Sequence, residues 1–151
     1  MFDGQRAIQI GVVVKNVDAA IEYYEKNFGF GPFTLFDLDD PTTMYYGKEE
    51  GQHLKIAMCK MGTLCLELIE CISGKSVHAD FLEEHGEGID HICFQVDSID
   101  DVIKEFEGKG FKYIEGDGAR FAYIDADKVG GVKFEFVQFA EGVTMQGMLK
   151  E

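Results

Sequence analysis

The stretch IQIGVVVKNVDAAIEYYEKNFGF, residues 8–30, is answered later in the chain by DHICFQVDSIDDVIKEFEGKGF, residues 90–111. Placing Gln9 on His91 aligns Val14 with Val96, Val17 with Ile99, Asp18 with Asp100, Ile21 with Ile103 and Tyr24 with Phe106. One residue is dropped just before the closing Gly-Phe. A second correspondence lies further out: GTLCLELIE (62–70) matches GGVKFEFVQ (130–138) and sets Glu67 on Glu135. Self-similarity of this kind marks an internal duplication. The second copy is the shorter, and the surplus of the first falls in the loop Pro41–Gln52.

Each copy opens with a short apolar strand and continues into a helix. Asn16 and Ser98 are N-cap residues at equivalent places, and Asp101 completes a capping-box-like pattern after Ser98. Ile21, Tyr24 and Phe28 keep helical spacing in the first copy; Ile99, Val102, Ile103 and Phe106 keep it in the second. Gly29 and Gly110 stop the two helices. Three strand-like runs follow in each copy: Phe33–Leu38, Leu54–Cys59 and Thr63–Glu70, then Lys112–Glu115, Arg120–Asp125 and Val132–Phe139. Gly130-Gly131 suits a hairpin connection. Ser76–His85 reads as a joining helix ended by Gly86. The fold class is therefore α+β: one domain over 1–151, with βαβββ modules at 7–72 and 90–139, a linker helix within 73–89 and a tail at 140–151. In that tail Val143, Met148 and Leu149 either dock on a partner subunit or fray.

Hydrophobic residues make up 46% of the chain and charged ones 28%, enough apolar material for a core. No apolar run approaches the ~20 residues that span a bilayer. The start MFDGQR is too polar for a secretory signal, so a cytoplasmic protein is expected. Cys59, Cys65, Cys71 and Cys93 sit in apolar stretches without a C-x-x-C pair, as buried free thiols do. Fourteen basic residues against 28 acidic give a formal charge of −14, which disfavours nucleic acid and anionic membranes as partners.

Side chains alternate faces along a strand. In CLELI and KFEFV the large apolar neighbours face the helices, which turns Glu67 and Glu135 to the other side with Cys65, Ile69, Val137 and Phe139. His91 shares that side with Cys93 and Gln95, and Gln9 with Gly11 and Val13. Singly, a Glu between apolar residues is more often the solvated face of a half-buried strand, and a lone His ordinary surface. In pairs the four read differently. Gln9 and His91 are equivalent on the first strands and Glu67 and Glu135 on the last, so two repeats closing on a shared groove would converge them. Oxygen and imidazole donors at one point suit a divalent metal. The pattern alone leaves both readings open.

At these residues the sequence resembles the vicinal-oxygen-chelate (glyoxalase-like) superfamily over roughly residues 7–139. The resemblance implies a half-open barrel with one metal ligand on each first and last strand, here Gln9, Glu67, His91 and Glu135, holding zinc, nickel, cobalt or manganese. VDAAIEYYEKNFGF, LELIE, FLEEHGEGIDHICFQVD and GARFAYIDADKVGGVKFEFVQ resemble methylmalonyl-CoA epimerases. The Gln, Glu, His, Glu set resembles zinc-type glyoxalase I (lactoylglutathione lyase). Epimerases generally place His where Gln9 stands, and glyoxalase I places glutathione-binding arginines where this chain has Val13 and Glu87. A single His at the four positions disfavours the superfamily's iron-dependent oxygen chemistry.

The implied activity is that of a lyase or isomerase removing a proton from carbon beside a carbonyl or thioester. Glu135 would be the base, Glu67 could act from the opposite face, and the metal would stabilise the charge that develops. Arg120 and Lys55 are candidate substrate anchors, and a homodimer is expected by resemblance. His53, His78 and His85 read as surface or helix-end residues. The competing function is a non-catalytic small-molecule binding protein of the bleomycin-resistance type, against which stand the four retained donor side chains.

Overall fold

The computed structural model describes all 151 residues, Met1–Glu151. In the first repeat the chain runs β1 (Ala7–Val13), α1 (Val17–Phe28), β2 (Thr34–Asp40), a short hairpin β3 (Met44–Tyr45) and β4 (Lys48–Glu49), β5 (Gln52–Met61) and β6 (Leu64–Gly74). The helix α2 (Val77–His85) leads into β7 (Gly88–Gln95), α3 (Ile99–Gly108), β8 (Tyr113–Gly116), β9 (Phe121–Ile124) and β10 (Lys133–Val137). The caps form as their chemistry requires: Asn16 accepts from the Ala19 N–H, Ser98 from Asp101 and Ser76 from Ala79, each satisfying a helix donor that lacks an intrahelical partner. Gly29 closes α1 in the left-handed region. No helix is long and apolar enough to cross a membrane.

All ten strands join one mixed, curled sheet in the order β2-β5-β6-β1-β7-β10-β9-β8-β3-β4. The first strands of the two repeats pair antiparallel at its centre (β1 with β7), and each is flanked by the last strand of its own repeat in parallel (β6 and β10). The four strands expected to carry ligands are thus consecutive: β6, β1, β7, β10.

Two equivalent apolar cores lie on the helix side. Val17, Ala57, Cys59, Leu66 and Leu68 pack with α1, while Ile99, Val102, Phe106, Ala122 and Phe136 pack with α3. Leu68 and Phe136 are fully buried, each worth roughly 1.5–3 kcal/mol relative to exposure. Phe2 lies edge-on to Phe94, Phe106 and Phe136 and covers the end of the second core. The other side of the sheet forms the concave groove.

Two segments depart from the sequence reading. The surplus loop of the first repeat is a hairpin whose Met44 and Tyr45 pair with Gly116 and Glu115, extending the second repeat's edge strand. The tail does not fray. Met145 and Leu149 are buried against Cys65, Gln146 Nε2 donates to the Leu64 carbonyl (2.9 Å), and the Lys150 N–H donates to Thr34 Oγ1 (2.9 Å). Leu149 thus packs on the groove face of β6, while Val143 and Met148 stay half-exposed at the cavity.

Candidate metal centre

Sheet register explains why the expected ligands meet. Across the central strands Glu67, Gly11 and His91 form one row, and Cys65, Gln9, Cys93 and Glu135 form the next. Residues in a row share a face about 4.8 Å from their neighbours. Gly11 carries no side chain, so the His91 imidazole lies across it toward Glu67. Cys93 is the equivalent small residue between Gln9 and Glu135.

The result is a compact buried cluster. His91 Nε2 stands 3.3 Å from Glu67 Oε2 and 3.2 Å from Glu135 Oε2. Neither carboxylate lies where the ring N–H could donate to it, so Nε2 has no hydrogen-bond partner although His91 is fully buried. Three ligand atoms converging without hydrogen-bonding one another have the arrangement a divalent cation takes up. Gln9 is buried on the same face and lines the same cavity; its Nε2 turns to Met58 Sδ at 3.6 Å, which leaves Oε1 as the donor atom for a cation.

Behind this cluster lies a second set of polar groups. Asp90, fully buried, accepts from His78 Nδ1 (2.5 Å) and His91 Nδ1 (3.2 Å). This carboxylate fixes the His91 tautomer and aims Nε2 at Glu67 and Glu135. Burial raises the Asp90 pKa, but the two imidazoles outweigh it and hold the carboxyl well below its usual range. Burial works against charge on His78 and His91 as well; Asp90 overcomes it for His78, and Asp90 with Glu135 and Glu67 for His91, so both titrate above ordinary histidine. Tyr123 packs edge-on to both rings with its hydroxyl 3.3 Å from His78 Nε2, and burial, then Glu135 and Glu67, hold its phenol protonated. The surface reading of His78 is therefore corrected: it stands one residue into α2, on the side packed over β7. Alternation on β7 gives the orientation of His91 but says nothing of which α2 residue stands behind it.

Glu115 also escaped the sequence reading. It lines the cavity fully buried, with Oε2 accepting from the Val77 N–H (2.6 Å) and Oε1 unpartnered. Burial pushes its pKa up to about 7, partly offset by His78 and the Val77 N–H. Between about 4.5, the ordinary value, and about 7 the folded protein therefore binds a proton that the unfolded chain releases. This group's contribution to stability is full below about pH 4.5 and is lost as pH rises through about 7. Glu115→Gln keeps the acceptor for Val77 and removes the titration. Urea unfolding should show the variant gaining on the wild type between pH 5 and 8 by on the order of 2–3 kcal/mol. Parallel pH profiles for the two proteins would refute this.

The groove holds a cavity of about 490 Å³ with the cluster at its base. Ile69, Val137 and Phe139 line it; Cys65 of the same face is covered by the tail. Of the two basic residues singled out as anchors, Arg120 reaches the cavity, paired with Asp117 (Nε–Oδ2 2.5 Å) and Asp40 (3.7 Å). Lys55 does not. It follows Leu54 and precedes Ile56, which face the groove, so it points to the helix side and pairs with Asp18 of α1 at 2.6 Å. His53 pairs with Asp37, and His85 is exposed at the end of α2.

Comparison with known proteins gives the same architecture. An uncharacterised protein of Bacillus subtilis strain 168, YqjC, is 26% identical over 139 residues, covering 88% of this chain and 91% of the relative. Among solved structures, the hypothetical protein BH1468 from Bacillus halodurans C-125 superposes with a TM-score of 0.71 at 28% identity, over 91% of this chain and 96% of that one. A methylmalonyl-CoA epimerase in complex with methylmalonyl-CoA and NH4+ superposes with a TM-score of 0.68 at 25% identity, over 90% and 95%. Residues 8–125 match the family model described as the Glyoxalase/Bleomycin resistance protein/Dioxygenase superfamily, and with the duplicated half-barrel already described the chain belongs to that superfamily.

Proposed function

We propose that this protein is a divalent-metal-dependent isomerase or lyase that removes a proton from carbon next to a carbonyl or thioester. The observation that carries the reading is His91 Nε2, buried, unpartnered and met by two carboxylates at the base of a cavity large enough for a small metabolite. Likeness to an epimerase that binds methylmalonyl-CoA supports the reaction class. Gln9, Glu67, His91 and Glu135 would hold zinc, nickel, cobalt or manganese. When bound, such a metal supplies a Lewis acid that polarises the substrate oxygen and stabilises the charge left by proton removal.

The chain's own residues do the rest. Glu135 accepts the proton, since its side chain is the more open of the two carboxylates to the cavity, 11% against 7% for Glu67. Glu67 holds the opposite side of the His91 ring, and Asp90 keeps that ring fixed. The apolar walls exclude water from the reacting carbon. A protein that only bound a ligand in this groove would gain nothing from two buried carboxylates.

Metal uptake tests the reading directly. Chelator-stripped protein given zinc, nickel, cobalt or manganese at about a thousandfold excess over its Kd should gain about 4 kcal/mol, a rise in Tm of about 10 °C. Absence of a shift with all four ions would overturn the metal-dependent reading and favour the binding module.

A further inference from the structure

The proposed reaction concerns the few atoms at the cavity base; the rest of the cavity specifies what the remainder of the substrate is. Its walls above the cluster are mostly hydrocarbon and thioether, interrupted by Gln52, Gln138 and Arg120. Leu54, Ile56 and Met58 of β5 form one side, and Phe121, Val137 and Phe139 the other. The third side belongs to the tail: Val143, Met145 and Met148 line the same space. That side is built structure. Gln146 and Lys150 tie it to Leu64 and Thr34 by hydrogen bonds, and Lys60 pairs with Glu151 at 2.6 Å. The tail therefore narrows the groove with an apolar surface.

Charge points the same way. No lysine lines the cavity, and its one arginine, Arg120, is already engaged by Asp117 and Asp40. Glu67, Glu115 and Glu135 line it, on a chain of formal charge −14. A carrier group bearing several phosphates or carboxylates would find no free basic side chain along these walls.

We infer that the cavity takes a small, uncharged molecule free of coenzyme A or glutathione, with its carbonyl oxygen at the metal end and an aliphatic or aromatic tail lying under residues 143–148. The inference rests on the metal-dependent reading above. A cavity lined by apolar side chains with polar groups at one end is the usual form of such a site, and each methylene buried raises affinity about fourfold.

Hydroxamates test it, because they present two neighbouring oxygens to a metal and can carry tails of chosen length. With cobalt-loaded protein, octanohydroxamate should bind at least about 100-fold more tightly than acetohydroxamate by calorimetry. Methylmalonyl-CoA should fail to displace it at equal concentration. Met148→Asp, at a half-exposed position on the rim, should weaken octanohydroxamate about tenfold while cobalt uptake is retained. Equal affinity for the two hydroxamates on protein that holds cobalt, or displacement by methylmalonyl-CoA, would overturn the substrate class alone. Failure to take up cobalt would overturn the metal reading and this inference with it.

Discussion

Glu135→Gln is expected to lower turnover by about 10²–10⁴-fold while the protein keeps its fold and its metal. Glutamine has nearly the volume of glutamate and retains a carbonyl oxygen that can ligate, so packing beside Cys93 and Tyr123 is preserved. What it lacks is affinity for a proton. The loss should therefore fall on kcat with little change in KM, the pattern of an interaction made during reaction rather than on binding. The readout is solvent deuterium entering the carbon beside the carbonyl of a compound that the wild type turns over, together with metal content. Normal exchange by a variant that still holds metal would transfer the base to Glu67, and Glu67→Gln would then show the loss.

Gly11→Ala is expected to reduce metal affinity about 10²-fold or more, without touching a ligand. Gly11 pairs with His91 across the central strands, and the His91 ring occupies the space where a Cβ on residue 11 would stand. The added methyl overlaps three atoms of the imidazole, which is itself packed against His78 and Tyr123 and cannot retreat. Overpacking of this kind costs about 1–3 kcal/mol. Glycine is demanded here by a neighbour's side chain and not by backbone conformation. Gly108→Ala is the control, because nothing lies within 4 Å of a Cβ there. Isothermal titration with zinc, beside urea unfolding, reads both effects; wild-type zinc affinity in Gly11→Ala would show that the His91 ring is free to move.

The duplication made most of the fold legible in the sequence. Equivalent caps at Asn16 and Ser98 and the alternation in LELIE and KFEFV fixed the helix starts and the faces of the strands, because capping and pleat are local. The family followed from the same repeats. Alternation also placed Gln9, Glu67, His91 and Glu135 on the cavity face. Lys55 failed as an anchor for the reason that made the glutamates succeed: it occupies the strand parity that faces α1. His78 and Glu115 were illegible because their positions depend on α2 packing against β7 and its Val77 N–H meeting Glu115 of β8, contacts that no local pattern encodes. Fraying was the wrong expectation for the tail because Met145 and Leu149 pack on Cys65 of β6, far away in sequence.

The hairpin β3–β4 has a consequence for how the molecule comes apart. It is encoded in the first repeat but completes the sheet edge of the second, since Met44 and Tyr45 find their pairing partners only at Gly116 and Glu115. Tandem repeats joined only at an interface can open independently, each half retaining its own ladder. Here the halves share an edge as well as the central β1–β7 pair, so neither has a finished sheet alone. The two copies are therefore expected to unfold in one cooperative transition, since the loop that broke the symmetry between them also binds them together.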